Sequence, residues 1–328
     1  MPRQIAMVLD LNKCIGCHAC TAACKSLWTD EPGQEYMLWN NVETKPGRGY
    51  PRDWQTNGGG WKDGELQLKE IPAAEEFGNV IALNHEEVYF EGSEKRLKRE
   101  EEMLWGSNWE EDSSTGEYPN NYHFYLPRLC NHCTNPACLA ACPVRAIYKR
   151  EEDGIVLVDQ DKCQGFRECN KACPYDKVYF NMVSGTSQKC IFCFPRVEQG
   201  VAPACARQCP GRLRFVGFLD EVGKPIDLLV NKWKVALPLH AEFGTIPNVF
   251  YVPPMLPPTF DESGDIADEP RVPLEYLQYL FGAQVDEALS TMQQEMEKKQ
   301  RGEPSELMDL LIAKEWKSLF SIPDVKVY

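Results

Sequence analysis

The sequence predicts an α+β fold that is organised by four motifs rich in cysteine. Three observations lead to this prediction. The fifteen cysteines of the 328-residue chain fall into four tight motifs. Short apolar segments between the motifs, such as "GIVLVDQDKC" and "RLRFVGFLDE", have the length and composition of strands. After Pro253 a proline-rich stretch is followed by segments with helical periodicity, which predicts an extended stretch and then helices.

Composition and charge exclude several classes of protein. The net charge of −14 argues against binding of nucleic acid, which requires a basic surface. No apolar run approaches 18 residues, so we expect no direct membrane span. The N-terminus "MPRQIAMVLDLNKC" lacks the charged, apolar and small-residue regions of a signal peptide. Neither a G-x-G-x-x-G nor an H-E-x-x-H motif is present, so we expect no catalytic residues in this chain.

The cysteines are interpreted as metal ligands. Disulfides are the alternative, but a disulfide framework suits short secreted chains with an even number of cysteines. This chain is long and its number of cysteines is odd. Spacings of two or three residues suit sulfurs that converge on one metal centre.

Motif one, "CIGCHACTAAC", has the C-x2-C-x2-C-x3-C spacing of bacterial iron–sulfur proteins. Its first three cysteines curl around one cluster, and the fourth begins a helix and ligates the other cluster of a pair. Lys25 stands where a proline usually follows. Either its charge raises the reduction potential of the nearby cluster, or Lys25 is a surface residue.

The other three motifs keep the final C-x3-C and add a proline after it. They are C-x2-C-x4-C-x3-C-P (motif two, Cys130–Pro143), C-x5-C-x3-C-P (motif three, Cys163–Pro174) and C-x2-C-x11-C-x3-C-P (motif four, Cys190–Pro210). Zinc is the alternative metal, but zinc ribbons need only two cysteine pairs, so this pattern favours iron and sulfide. His18 and His132 lie inside cysteine loops and are expected to donate hydrogen bonds or face solvent, not to bind iron.

Two motifs form one ferredoxin-like module, and two pairings are open. Motif one can pair with two and motif three with four, or one with four and two with three. Spacing does not decide between them. Only 20 residues separate Cys142 from Cys163, whereas 105 separate Cys24 from Cys130, which makes motifs two and three a natural compact unit.

The order of the motifs, the aromatic Phe166 in motif three, and the segments "DLNKCIGCHACTAACKSLWT" and "YMLWNNVETKPGRGYP" resemble a known family. The chain is similar to the iron–sulfur β subunits of the type II branch of the dimethyl sulfoxide reductase family. This branch includes selenate, chlorate and perchlorate reductases, and dimethylsulfide and ethylbenzene dehydrogenases. The β subunit of nitrate reductase is a cousin. The resemblance covers at least residues 5–220.

The resemblance implies the nested pairing, one with four and two with three, and a set of ligands. Three 4Fe–4S clusters would each take four cysteines: Cys14, Cys17, Cys20 and Cys209; Cys24, Cys190, Cys193 and Cys205; and Cys130, Cys133, Cys138 and Cys173. The remaining three, Cys142, Cys163 and Cys169, would hold one 3Fe–4S cluster, because Phe166 replaces the fourth ligand. Every cysteine is then used once. A four-iron cluster with a water ligand is the alternative at this last site.

The predicted fold is therefore α+β, with two nested bacterial ferredoxin-like modules, long insertions and an extended helical C-terminal arm. The first module comprises residues 1–24 and 174–252, the second comprises 130–173, and residues 25–129 form an insertion. Within the insertion, "NVIALNHEEVYFEG" predicts a strand or hairpin and "EKRLKREEEMLW" a short helix, and its tryptophans are expected in the core or in an interface. Residues 253–328 are expected to clasp a partner subunit, and packing on the same chain is the alternative.

The resemblance implies a non-catalytic electron-transfer subunit. It would relay electrons between a molybdenum-bis(molybdopterin guanine dinucleotide) α subunit and a haem b γ subunit of a respiratory oxyanion reductase or dehydrogenase. The N-terminus alone favours the cytoplasm, whereas the resemblance implies the periplasm, with export alongside a signal-bearing α subunit. The alternatives are the β subunit of a nitrate reductase or nitrite oxidoreductase, whose chains are usually longer, and a zinc-binding interaction module.

Overall fold

Short strands and short helices alternate along residues 3–77 and 114–313, the residues that the computed structural model describes. This arrangement agrees with the predicted α+β class. The strands are β1 (Ile5–Asp10), β2 (Asn40–Lys45), β3 (Gly60–Lys62), β4 (Glu65–Gln67), β5 (Phe124–Leu129), β6 (Ile147–Lys149), β7 (Val156–Val158), β8 (Val178–Asn181), β9 (Thr186–Lys189), β10 (Arg214–Phe218), β11 (Leu237–Pro238), β12 (Val249–Val252), β13 (Pro258–Phe260) and β14 (Ile266–Pro270). The helices are α1 (Ala19–Trp28), α2 (Ala137–Ala140), α3 (Glu168–Ala172), α4 (Phe194–Val197), α5 (Ala204–Arg207), α6 (Pro225–Asp227), α7 (Leu274–Phe281), α8 (Val285–Gln300) and α9 (Glu306–Ile312).

A four-stranded sheet of order β10–β1–β12–β11 lies at the centre. Strand β1 pairs antiparallel with β10 and parallel with β12, and all its residues are buried. Since successive side chains of a strand point to opposite faces, β1 contributes to two cores. Met7 and Leu9 belong to the core that contains the cysteines, whereas Ala6 and Val8 belong to a second core. The sheet therefore places the cysteines on one of its two faces.

A buried ribbon of β2 and β5 leads from motif one to motif two. Glu43 of this ribbon accepts hydrogen bonds from Arg128 Nε at 2.6 Å and from Trp54 Nε1 at 3.1 Å. Burial raises the pKa of Glu43, but Arg128 and Lys45 outweigh this effect and lower it to about 2. Charged side chains are thus tolerated in this ribbon because they are paired.

The short helices that carry the cysteines pack in two pairs. Helix α1 of motif one packs against α5 of motif four, and α2 of motif two packs against α3 of motif three. Hairpins β6–β7 and β8–β9 flank the second pair.

The C-terminal helices pack on the chain itself. Leu280 and Phe281 of α7 belong to the core that contains the cysteines, and Leu307 of α9 belongs to the second core. The structure therefore shows packing on the same chain, the alternative weighed for this region, and contact with a partner stays a prediction. Strands β13 and β14 form a hairpin within the stretch that was predicted to be extended. Within the described residues, no helix is long and apolar enough to cross a membrane.

Part of the predicted insertion lies outside the described residues. This applies to all of the predicted hairpin "NVIALNHEEVYFEG", to the charged helix "EKRLKREEEMLW", and to two tryptophans, Trp105 and Trp109. Trp39 and Trp54 are buried, as expected for core residues, and Trp28 and Trp61 are partly buried.

Candidate metal centres

All fifteen cysteines lie in the described residues and carry free thiols. Within residues 3–77 and 114–313, no three His, Cys, Asp or Glu side chains converge closely enough to bind one metal ion. Thiols from distant parts of the sequence nevertheless line shared cavities or interact electrostatically, and these groupings define four sites, called A to D below.

Site A brings motif one together with the end of motif four. The thiols of Cys14, Cys20 and Cys209 interact electrostatically, and burial raises the pKa of Cys14 to about 12. Cys17 lies between Cys14 and Cys20 on the same loop and is exposed. Gly16 shapes this loop, because its φ is +67° and a Cβ atom there would lie 2.6 Å from the Tyr125 ring. The loop can approach Tyr125 only with glycine at this position.

Site B consists of Cys24 from α1, Cys190 and Cys193 from motif four, and Cys205 from α5. All four line one cavity, together with Trp28, Trp39 and Asn40. Burial, with repulsion from the other three thiols, raises the pKa of Cys24. Trp28 Nε1 donates a hydrogen bond to Cys193 Sγ at 3.1 Å, and the Phe192 amide donates to Cys190 Sγ at 3.3 Å.

Unpaired donors point to an anionic ligand in the cavity of site B. The Trp39 indole nitrogen and the Asn40 amide nitrogen are buried donors without a hydrogen-bond partner. A buried donor without a partner lowers the stability of the fold. Two such donors beside four thiols therefore require a hydrogen-bond acceptor in the cavity. A cluster whose sulfurs accept hydrogen bonds fits this requirement.

Site C consists of Cys130, Cys133, Cys138 and Cys173, which also line one cavity. Burial, with repulsion from Cys130, raises the pKa of Cys133 to about 12. His132 lines the same cavity and is buried. Its Nδ1 accepts a hydrogen bond from the Val156 amide at 3.1 Å, while its Nε2 has no partner.

The ring of His132 is held neutral in this position. Burial and the charge of Lys189 lower its pKa well below the ordinary value. Because Nδ1 of the neutral ring is an acceptor, Nε2 carries the proton and is a donor without a partner. His132 therefore does not face solvent, the other expectation for it, and a hydrogen bond from its Nε2 to sulfur stays a prediction.

Site D contains three thiols, those of Cys142, Cys163 and Cys169. Burial raises the pKa of Cys169 to about 11, and the other two thiols contribute repulsion. The Ala146 amide donates a hydrogen bond to Cys142 Sγ at 3.2 Å, and the Ser187 amide donates to Cys163 Sγ at 3.3 Å. Phe166 lies in the same loop, and its side chain is 55% exposed.

Pairs of cysteines four residues apart connect these sites. Cys20/Cys24 and Cys205/Cys209 each contribute one thiol to site A and one to site B. Cys138/Cys142 and Cys169/Cys173 connect sites C and D in the same way. Cys20 and Cys24 are ~6 Å apart along the axis of α1, and the other three pairs start in α5, α2 and α3. The connected sites are therefore neighbours. Cys190 of site B interacts with Cys130 of site C. The four sites therefore follow each other in the order A, B, C, D.

Two cations of this region were not singled out in the sequence. Arg214 and Lys189 are buried beside the thiols of sites A to C. Lys189 directly precedes Cys190, and Arg214 lies in the apolar strand "RLRFVGF". A charged residue inside such an apolar strand could have indicated a buried cation.

Lys25 is not the surface residue that was one of the two expectations, and an effect of its charge on a cluster potential stays a prediction. It is buried, and its ammonium donates to the backbone carbonyls of Gln34, Glu35 and Met37. It therefore fixes the loop after α1, while its charge also interacts with Cys24.

Comparison with known proteins finds one matching family model and three similar proteins. A family model described as a 4Fe-4S dicluster domain matches residues 121–219. Selenate reductase subunit beta of Thauera selenatis is 58% identical over 314 residues, covering 94% of this chain and 96% of that protein. Respiratory nitrate reductase subunit beta of Haloferax mediterranei is 56% identical over 317 residues, covering 94% and 90%. Dimethylsulfide dehydrogenase subunit beta of Rhodovulum sulfidophilum is 55% identical over 321 residues, covering 98% and 99%.

Proposed function

The chain belongs to the iron–sulfur β subunits of the type II dimethyl sulfoxide reductase family, and we propose that sites A to D hold three 4Fe–4S clusters and one 3Fe–4S cluster. Such a subunit transfers electrons and is not catalytic. The observation that carries the proposal is the grouping of thiols from distant motifs into sites of four, four and three, with Cys17 completing site A.

The proposed ligands are those that the resemblance implies. Cys14, Cys17, Cys20 and Cys209 hold the cluster of site A, and the thiols named above hold those of sites B, C and D. The packing of α1 against α5, and of α2 against α3, supports two nested ferredoxin-like modules. The cavities lined by four thiols at sites B and C support clusters at those positions.

Iron, sulfide and zinc analysis of the purified protein tests the cofactor content. We expect fifteen iron atoms per chain, from three clusters of four and one of three, with acid-labile sulfide and without stoichiometric zinc. A low-temperature EPR signal of an oxidised three-iron cluster is expected as well. Zinc without sulfide would replace this proposal with a zinc-binding interaction module. A full set of four-iron clusters would contradict the assignment of site D.

We propose that the chain relays electrons between a molybdenum-bis(molybdopterin guanine dinucleotide) α subunit and a haem b γ subunit. Both ends of the row of sites lie near the surface, which supports a relay between two partners. Ile15 and Cys17 are exposed at site A, and Phe166 is exposed at site D. Site A would face the α subunit and site D the γ subunit. Purification of the intact complex, with molybdenum and haem analysis, tests these partners.

Export to the periplasm together with a signal-bearing α subunit is proposed on the family resemblance. Cell fractionation with and without the signal of the α subunit tests it. The chain should reach the periplasm only when that signal is present. Cytoplasmic protein in both cases would contradict the proposal.

A nitrate reductase β subunit is a second candidate, because the Haloferax mediterranei protein is 56% identical and is matched over 90% of its length. Chain length, which was expected to separate the two candidates, therefore does not. Assay of the intact complex with selenate, chlorate, perchlorate, nitrate, dimethylsulfide and ethylbenzene distinguishes them. Turnover of nitrate alone would favour the second candidate.

A further inference from the structure

Two buried cations, Arg214 and Lys189, lie between neighbouring sites. Arg214 on β10 is 0% exposed and Lys189 at the end of β9 is 2% exposed. Removing an isolated cation from water costs several kcal/mol, so each buried cation requires a counter-charge. The identity of that counter-charge decides what these residues do.

Arg214 lies between sites A and B. Its strongest interactions are with Cys20, Cys14 and Cys209 of site A and with Cys205 of site B. One guanidinium nitrogen, Nη1, donates to Met7 Sδ at 3.8 Å. The other two nitrogens, Nε and Nη2, are buried without a hydrogen-bond partner. The guanidinium is therefore held by the sheet, and its charge faces the thiols of both sites.

Lys189 lies between sites B and C. Its ammonium donates to the carbonyl oxygens of Val156 and Cys190, the latter at 3.0 Å. Its strongest interactions are with Cys130 and Cys138 of site C and Cys190 of site B. Val156 lines the cavity of site C and Cys190 lines that of site B, so the ammonium is held between the two sites.

Several other buried cations of the described residues have carboxylate partners, although Lys25 and Lys177 donate to uncharged oxygens instead. Arg128 contacts Glu43 at 2.6 Å and Lys69 contacts Asp176 at 2.6 Å. For Arg214 and Lys189, every strong electrostatic partner is a cysteine. Their counter-charges are therefore the sulfur centres themselves.

We propose that Arg214 and Lys189 each supply one positive charge that two neighbouring clusters share, and that each raises the reduction potentials of both clusters. The proposal rests on the proposed occupation of sites A to D. Reduction adds a negative charge to a cluster, and a fixed cation in a water-poor interior stabilises the reduced form. The same cation offsets the repulsion between two reduced neighbours. Site B is unique among the four in being flanked by both cations.

EPR-monitored redox titration of the intact complex tests the proposal, using Arg214→Met and Lys189→Met. Arg214→Met should lower the potentials of two four-iron clusters, those of sites A and B. Lys189→Met should lower those of sites B and C. One four-iron cluster should therefore shift in both variants, and the three-iron cluster of site D in neither. The charge-conserving variants Arg214→Lys and Lys189→Arg should keep the potentials close to those of the unmodified protein.

Lys232→Met is the matched control, because it removes a surface cation that pairs with Glu306 and should shift no potential. Unchanged potentials in both methionine variants, or an equal shift of all clusters, would overturn the proposal. Equal loss of iron from Arg214→Met and Arg214→Lys would also overturn the proposal. The sites would then require the shape of the arginine side chain and not its charge. Absence of iron and sulfide from the unmodified protein would instead refute the proposed function.

Discussion

Phe166 is the residue on which the proposed composition of site D depends. An aromatic ring has no atom that binds iron, and the three thiols of site D leave one corner of a cubane without a ligand. The loop around it is fixed by Gly165, whose φ is +72° and whose added Cβ would lie 2.6 Å from the Gly185 carbonyl oxygen. The backbone therefore fixes the position of residue 166, and its side chain can be replaced without moving the loop.

Replacing Phe166 by cysteine is expected to convert site D into a four-iron site. The new thiol would supply the missing ligand, so the EPR signal of the three-iron cluster should disappear and the iron content should rise by one atom per chain. Phe166→Leu, which adds no ligand, is the control and should keep the three-iron signal. Persistence of that signal in Phe166→Cys would show that the backbone does not bring residue 166 to the open corner.

Gly16 has a comparable influence on site A. Gly16→Ala introduces a Cβ atom that meets the Tyr125 ring at 2.6 Å, at a φ of +67°. We expect a displaced cysteine loop, loss of iron from site A and a lower unfolding temperature. Iron analysis and thermal unfolding measure these effects.

Gly64→Ala is the matched control, because Gly64 has a φ of +81° and no atom within 4 Å of an added Cβ. It should cost only the ~1–2 kcal/mol of a left-handed alanine and leave the iron content unchanged. Equal loss of iron in both variants would mean that the contact with Tyr125 is not the cause of the iron loss.

At the scale of elements, local patterns predicted local structure and failed where pairing is distant. The segments "GIVLVDQDKC" and "RLRFVGFLDE" contain strands β7 and β10, as predicted. The parallel pairing of β1 with β12 joins residues that are more than 200 positions apart, and no periodicity within either strand specifies it. Sequence periodicity likewise predicted the apolar faces of the C-terminal helices. It did not predict whether these faces pack on the same chain or on a partner.

The C-terminal helices are expected to stabilise the isolated subunit. Leu280 of α7 is fully buried in the core that contains the cysteines. Leu280→Ala should therefore lower the free energy of unfolding by about 2–5 kcal/mol. Chemical denaturation of the subunit without partners measures this.

Ile312→Ala provides the control for the same region, because Ile312 of α9 is exposed. Its effect should stay within about 0.5 kcal/mol. If Leu280→Ala had no effect on the isolated subunit but weakened the complex, the helices would serve as a clasp for a partner instead.

At the scale of the whole molecule, the chain combines a net charge of −14 with buried cations at its sulfur centres. Cysteine spacing was sufficient to predict iron–sulfur sites, because ligand geometry is local. The spacing left the pairing of the motifs open, and it did not predict the buried cations Arg214 and Lys189. Both features depend on how distant strands and helices pack. The resulting row of sites begins and ends near the surface.

The surface at site D is the place where electrons are expected to leave or enter the chain. The β8–β9 hairpin carries Ser187 to site D, and its tip exposes Met182 and Val183, which are 69% and 70% accessible. Phe166 is exposed as well, and the hairpin closely approaches its neighbour Gly165. Exposed apolar side chains of this kind are typical of a contact with another protein.

Replacing both Met182 and Val183 by serine is expected to weaken contact with the partner at this end without changing the clusters. Their side chains are exposed, so the fold should lose little stability. In the intact complex, electron exchange between the proposed three-iron cluster and the haem of the proposed γ subunit should slow, while the EPR spectrum of the β subunit stays the same. Val222→Ser, at an exposed apolar residue in the loop between β10 and α6, is the control and should leave the rate unchanged. An unchanged rate in the double variant would exclude this hairpin from the route of electron exchange and require contact through another surface of site D.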